Sequence, residues 1–118
     1  MSLSLTAAYY AHIRTDLFAS INFLQLRNDG ADVGSARIDL DNDSRVTLVD
    51  DGAVSLTITY RITLRSTDTD LSGVTEIDGY NLFTLVTGGD AYASSTFTAK
   101  ALDANNGLEI TINISTPA

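Results

Sequence analysis

Apolar and polar residues alternate most cleanly over residues 55–65. Leu56, Ile58, Tyr60, Ile62 and Leu64 share one parity, and Ser55, Thr57, Thr59, Arg61, Thr63 and Arg65 share the other. Successive side chains of a strand point to opposite faces, so this pattern predicts a half-buried strand with a wet outer face. Residues 108–115 repeat it: Leu108, Ile110, Ile112 and Ile114 face one way, and Glu109, Thr111, Asn113 and Ser115 the other. Residues 45–49, 79–89 and 95–101 read as further strands, and residues 27–40 as a turn feeding a short strand. Asp50-Asp51-Gly52 is expected to turn one hairpin, and Asn105-Asn106-Gly107, which tolerates positive φ, another.

The first 26 residues carry two periods at once. Leu3, Leu5, Ala7, Tyr9, Ala11 and Ile13 alternate as in a strand, while Leu5, Tyr9, Ile13, Leu17, Ile21 and Leu24 recur at helical spacing. Two strands broken near Arg14-Thr15-Asp16 are the adopted reading. A helix over residues 5–26, which would make the protein α+β, is the alternative.

Composition strengthens the all-β expectation. Of fifteen acids, thirteen are Asp and only Glu76 and Glu109 are Glu; fifteen Thr and eleven Ser accompany them. Short Asp side chains favour turns and threonine favours strands. The chain of 118 residues is expected to form one domain, residues 1–118, built as an antiparallel β-sandwich or small barrel with about seven or eight strands. There is no cysteine, hence no disulfide or thiolate metal site.

The net charge of −8, with the seven bases scattered, disfavours nucleic acid and anionic membrane surfaces as partners. The N-terminus lacks the basic start of a signal peptide, and no apolar run is long enough to span a bilayer.

Candidate chemistry is sparse. Asp39, Asp41 and Asp43 occupy alternate positions, with Asp50 closing a twelve-residue window in the outline of a calcium loop. Ser44 stands where that loop turns on glycine. The expected strand between Asp43 and Asp50 separates them by about 20 Å. The adopted reading is therefore a polar turn between strands, with a weak surface calcium site on Asp39, Asp41 and Asp43 kept as the metal candidate.

The stretch LVDDGAV, residues 48–54, resembles the active-site loop of the dimeric retroviral-type aspartic proteases, which implies Asp50 as catalytic acid followed by Gly52 and Ala53. Asp51 stands where that family has a hydroxyl residue, and a hairpin turn is the adopted reading. His12 is the only histidine, which leaves one imidazole and no Gly-x-Ser-x-Gly motif beside it. No catalytic residue and no cofactor are expected.

A small all-β domain with Ser/Thr-rich strand faces and no catalytic set is expected to act by contact. The favoured expectation is a structural or assembly subunit joined to other protein subunits in a homo-oligomer or larger assembly. Its type matches a small bacteriophage virion protein, a capsid decoration or head–tail component. The alternative is a carbohydrate- or ligand-binding β-sandwich module, calcium-assisted, with Tyr9, Tyr10, Tyr60, Tyr80 and Tyr92 as stacking residues.

Overall fold

The computed structural model describes residues 8, 12, 16, 21–51 and 57–115. Eight strands follow in chain order: β1 Phe23–Asn28, β2 Ala31–Asp32, β3 Ile38–Asp39, β4 Val46–Asp51, β5 Thr57–Leu64, β6 Glu76–Phe83, β7 Ala93–Ala101 and β8 Leu108–Ser115. A single 3-10 turn, Thr69–Leu71, interrupts the β5–β6 connection. The strands form two sheets with every pairing antiparallel: β2-β1-β6-β7, with the short β3 also on β1, and β4-β5-β8. The protein is all-β in class.

β5 organises its sheet as its alternation predicts. Ile58, Tyr60, Ile62 and Leu64 are 5%, 5%, 0% and 0% exposed. β8 runs beside it in eight consecutive pairs from Thr57↔Ser115 to Leu64↔Leu108, without a bulge. Polar partners then meet on the outer face: Thr57 Oγ1 lies 2.8 Å from Ser115 Oγ, Thr59 donates to Asn113 over 2.8 Å, and Arg61 pairs with Glu109 at 3.1 Å. Such cross-strand pairs each contribute roughly 0.2–1 kcal/mol.

In the other sheet Leu24 and Leu26 of β1 stand opposite Leu82 and Tyr80 of β6, pointing inward. The two inner faces merge into one core that also takes in Ile38, Leu40, Leu71, Ile77, Ile110 and Ile112. Each leucine or isoleucine so buried contributes roughly 1.5–3 kcal/mol of transfer free energy, offset by the entropy of ordering the chain.

Three expectations about connections are corrected. Asn105-Asn106-Gly107 does not close a hairpin, because β7 pairs with β6 and β8 with β5. The segment is an arch that carries the chain from one sheet to the other. Asp103 shapes it by accepting the N–H groups of Asn105 at 2.7 Å and Asn106 at 3.2 Å, and none of the three turn residues has positive φ. Asp50 and Asp51, expected in a turn, belong to β4 in register with Thr59 and Ile58, after a bulge that leaves Val49 unpaired. β4 and β5 are nevertheless an antiparallel pair, as expected, and residues 52–56 between them lie outside the described residues. The strand expected over residues 79–89 starts earlier, at Glu76, and stops at Phe83.

The β1–β2 hairpin turns on Asp29 and Gly30, with φ of 52° and 76°, the left-handed pair that a two-residue hairpin loop requires.

The expectation for residues 1–26 falls mostly outside the described residues. Residues 23–28 are strand, so the alternative helix does not extend to residue 26. Ala8, His12 and Asp16 are helical, where the adopted reading placed Ala8 and His12 in a strand and Asp16 in the break after it; the i, i+4 spacing of His12 and Asp16 places them on one helical face, 3.4 Å apart.

Gly79 is fixed by packing. A Cβ there would stand 2.6 Å from the Ser95 carbonyl oxygen of β7. Gly79→Ala must separate β6 from β7 locally and is expected to cost about 1–3 kcal/mol in urea denaturation, with a matched Ala99→Gly control showing only the smaller change of an exposed strand position.

Candidate functional site

The acidic stretch that raises the metal question resolves into two separate devices. Asp39 shapes the turn after β3: its carboxylate accepts the backbone N–H of Asp41 at 2.9 Å and the side-chain amide of Asn42 at 3.0 Å. These bonds, the Asn42 amide first, hold its carboxyl below the usual carboxylate range. Asp43 turns to Arg45 instead, and Asp41 joins neither bond set as an acceptor. The three candidate calcium ligands are thus divided between a turn cap and an ion pair. Among the described residues no group of three or more His, Cys, Asp or Glu side chains is placed to hold a metal ion.

Arg45 is the centre of the second device. Its Nε donates to Asp43 Oδ1 at 3.0 Å, and Nη2 to Asp43 Oδ2 at 2.7 Å. Nη1 donates to Asp68 Oδ2 at 3.1 Å and to Asp70 Oδ1 at 2.9 Å, and Nη2 also to Asp70 Oδ2 at 2.7 Å. A guanidinium has five N–H donors, so every one is used, with two carboxylates bound bidentately.

Asp68 also accepts the Arg65 backbone N–H at 3.0 Å, and Asp43 that of Arg45 at 2.9 Å. The four side chains are only 20–25% exposed. Arg45 holds the Asp43 carboxyl below its ordinary value against the opposing cost of burial, and Asp43 in turn raises Arg45 further.

The cluster joins the chain before β4 to the chain after β5. It is continued by the Ser35 N–H, which donates to the Asp70 carbonyl at 2.9 Å. Its chemistry is that of a clamp: the guanidinium at the centre has every N–H donor engaged by a carboxylate. Sequence inspection missed it because Asp68 and Asp70 are more than twenty residues from Arg45.

The remaining candidates do not converge. Asp50, implied as a catalytic acid by the protease resemblance, sits on β4, paired with Thr59 of β5, and its neighbour Asp51 is exposed. His12 and Asp16 are both 69% exposed, so their pair lies in water. Among the tyrosines, Tyr60 is buried in the core and Tyr80 packs inward with its ring 6.4 Å from that of Phe97, while Tyr92 is 64% exposed. Tyr9 and Tyr10 lie outside the described residues. The described tyrosines therefore share no face on which a sugar could stack.

What the surface does offer is apolar area at strand ends and edges. Leu48 and Val49 of edge strand β4 are 52% and 47% exposed. Leu85 and Val86 in the β6–β7 loop are exposed as well. That loop is held from below by Arg37, whose guanidinium lies 3.4 Å from the centre of the Phe83 ring and donates to the carbonyls of Leu85 and Gly88, each at 2.8 Å.

The chain matches no known family model, no curated protein and no solved structure. Among the described residues no helix is long and apolar enough to cross a membrane.

Two outcomes are expected of the clamp. Arg45→Met leaves three carboxylates facing one another and is expected to cost about 2–3 kcal/mol at pH 7, below the roughly 3–5 kcal/mol of a fully buried pair because water reaches a fifth of the site. The pH dependence is expected to invert between the two proteins. The depressed pKa of Asp43 gives the native chain stability that is fully present above the unfolded value near 4 and is lost as pH falls through the folded pKa. In Arg45→Met the crowded carboxylates favour protonation, so stability rises as pH falls toward 4; denaturant midpoints between pH 3 and pH 7 check both signs.

Proposed function

We propose that the protein is a non-catalytic assembly subunit that works through protein–protein contacts of its sheet edges and loop tips. The observation that carries this reading is the exposure of Leu48 and Val49 on β4, the outermost strand of its sheet among the described residues. Exposed edges are normally blunted with lysine, proline or a covering loop. β4 carries a bulge and two aspartates but no lysine or proline, and it keeps two large apolar side chains in water. The clamp, the Arg37–Phe83 stack and the uninterrupted β5–β8 pairing make the frame rigid, which suits a part that is added to a structure more than one that closes around a substrate.

Within this class the chain fits a small virion component of a bacteriophage, a capsid decoration or head–tail subunit. The support is one of type: short, acidic, cysteine-free and built from strands with polar outer faces.

The test is sedimentation equilibrium with light scattering across a wide concentration range, alone and with isolated particles. An assembly subunit is expected to self-associate or bind a particle, and Leu48→Lys with Val86→Lys is expected to weaken that association at least about tenfold while leaving the unfolding midpoint within about 0.5 kcal/mol of native. A chain that stays monomeric at millimolar concentration and turns over a substrate overturns the proposal.

A further inference from the structure

The arch between β7 and β8 holds the one Asn-Gly step in the chain, Asn106-Gly107. Asparagine is thermally labile, because its side-chain amide lies within reach of the backbone nitrogen of the next residue. Attack by that nitrogen closes an imide ring. A side chain on the next residue hinders the attack, so glycine is the successor that opens it. Every other asparagine is followed by a bulkier residue: Phe23, Asp29, Asp43, Leu82, Asn106 or Ile114.

Three features of the fold leave this pair open to reaction. Asn106 and Gly107 are both exposed and lie outside the strands, so water reaches the amide and no ladder fixes the backbone. Asn81 and Asn113, by contrast, sit within β6 and β8. Next, the Gly107 N–H, which must lose its proton to become the nucleophile, is donated to no group among the described residues; Asp103 takes the N–H groups of Asn105 and Asn106 instead. Finally, the Arg65 guanidinium lies against Gly107, where an added Cβ would stand 3.3 Å from its Nη2. A positive charge there favours the ionised nitrogen and the oxyanion that follows the attack.

The fold also keeps the glycine in place. A Cβ at residue 107 would run into Thr63 Cγ2, part of a β-branched side chain on β5 with little freedom to turn away. A bulkier, protecting successor is thereby disfavoured.

We infer that Asn106 is a self-modification site, at which the folded chain converts its own asparagine to isoaspartate and aspartate. Gly107 N bonds to Asn106 Cγ, the Cγ–Nδ2 bond breaks, and ammonia leaves with the proton that Gly107 N gives up. Water then opens the imide. Addition at Cγ gives aspartate; addition at the main-chain carbonyl carbon of residue 106 gives isoaspartate, with the side-chain methylene now in the backbone. No electrons are exchanged, and water is the only co-reactant. Either product adds one negative charge to a chain of −8. Asp103 is held below the usual carboxylate range by the N–H groups of Asn105 and Asn106 and, after these, by the Asn106 side-chain amide. A carboxylate in place of that amide repels it, which loosens the arch. Loss of ammonia is one-way, so the site marks the age of each molecule. The inference is independent of the assembly reading.

Ageing the native chain in mildly alkaline buffer tests this, with peptide mass mapping and enzymatic methylation of isoaspartyl carboxyl groups as readouts. Residue 106 is expected to deamidate within about tenfold of the rate in a synthetic peptide of residues 101–112, and at least about tenfold faster than any other asparagine of the folded chain. Asn106→Gln is expected to remove the isoaspartate signal. Arg65→Met is expected to slow the reaction several-fold in the folded chain and to leave the urea-unfolded chain unchanged. A folded chain whose Asn106 stays intact while the peptide and the urea-unfolded chain deamidate overturns the inference, because the arch then protects the site. Deamidation spread evenly over the asparagines overturns it too. Equal rates in the folded native and Arg65→Met chains overturn the part assigned to Arg65.

Discussion

The structure depends on a single alternation, that of β5. With Ile58, Tyr60, Ile62 and Leu64 on one face and threonines with Arg61 on the other, the strand has one orientation in which its apolar side chains leave water. A shift of one residue would reverse every one of them. β8 has the complementary alternation and the same length, so the pair locks in a single register over its full extent. The second sheet is added against the face this pair presents, and the inward residues of β1 and β6 complete the core.

Charge is arranged around that frame in an uneven way. The chain has more than two acids for each base, and one half-buried cation, Arg45, gathers three of those acids. Arg45 thereby holds two distant turns together at one end of the sheets. The other aspartates act locally, as caps on their own turns: Asp39 on the residues after β3 and Asp103 on the arch between β7 and β8. An Asp-rich composition in this protein reflects the geometry of its connections, since Asp reaches the backbone two residues ahead where Glu is too long.

The strands were legible from sequence because period two is a direct imprint of a half-buried surface. Residues 57–64 and 108–115 were placed almost to the residue. What the sequence obscured was which strand meets which. Asn105-Asn106-Gly107 carries the residues of a tight hairpin, but the side chain of Asp103 occupies the local N–H groups, and β8 gains a full-length partner by crossing to β5. Turn chemistry describes a local preference; pairing is decided by the whole area that can be buried. The carboxylates at the Arg45 site were hidden for the same reason: Asp43 is visible two residues away, and Asp68 and Asp70 arrive only through the fold. The ambiguity of residues 1–26 is a property of the sequence itself, which satisfies two periods with overlapping sets of residues.

The Arg37 stack on Phe83 has an evolutionary reading. Because Arg37 grips the β6–β7 loop through main-chain carbonyls and not through side chains, the identities of Leu85 and Val86 are not needed for the loop to keep its shape. Those positions are free to drift, so related chains could change the company they keep while inheriting the same scaffold.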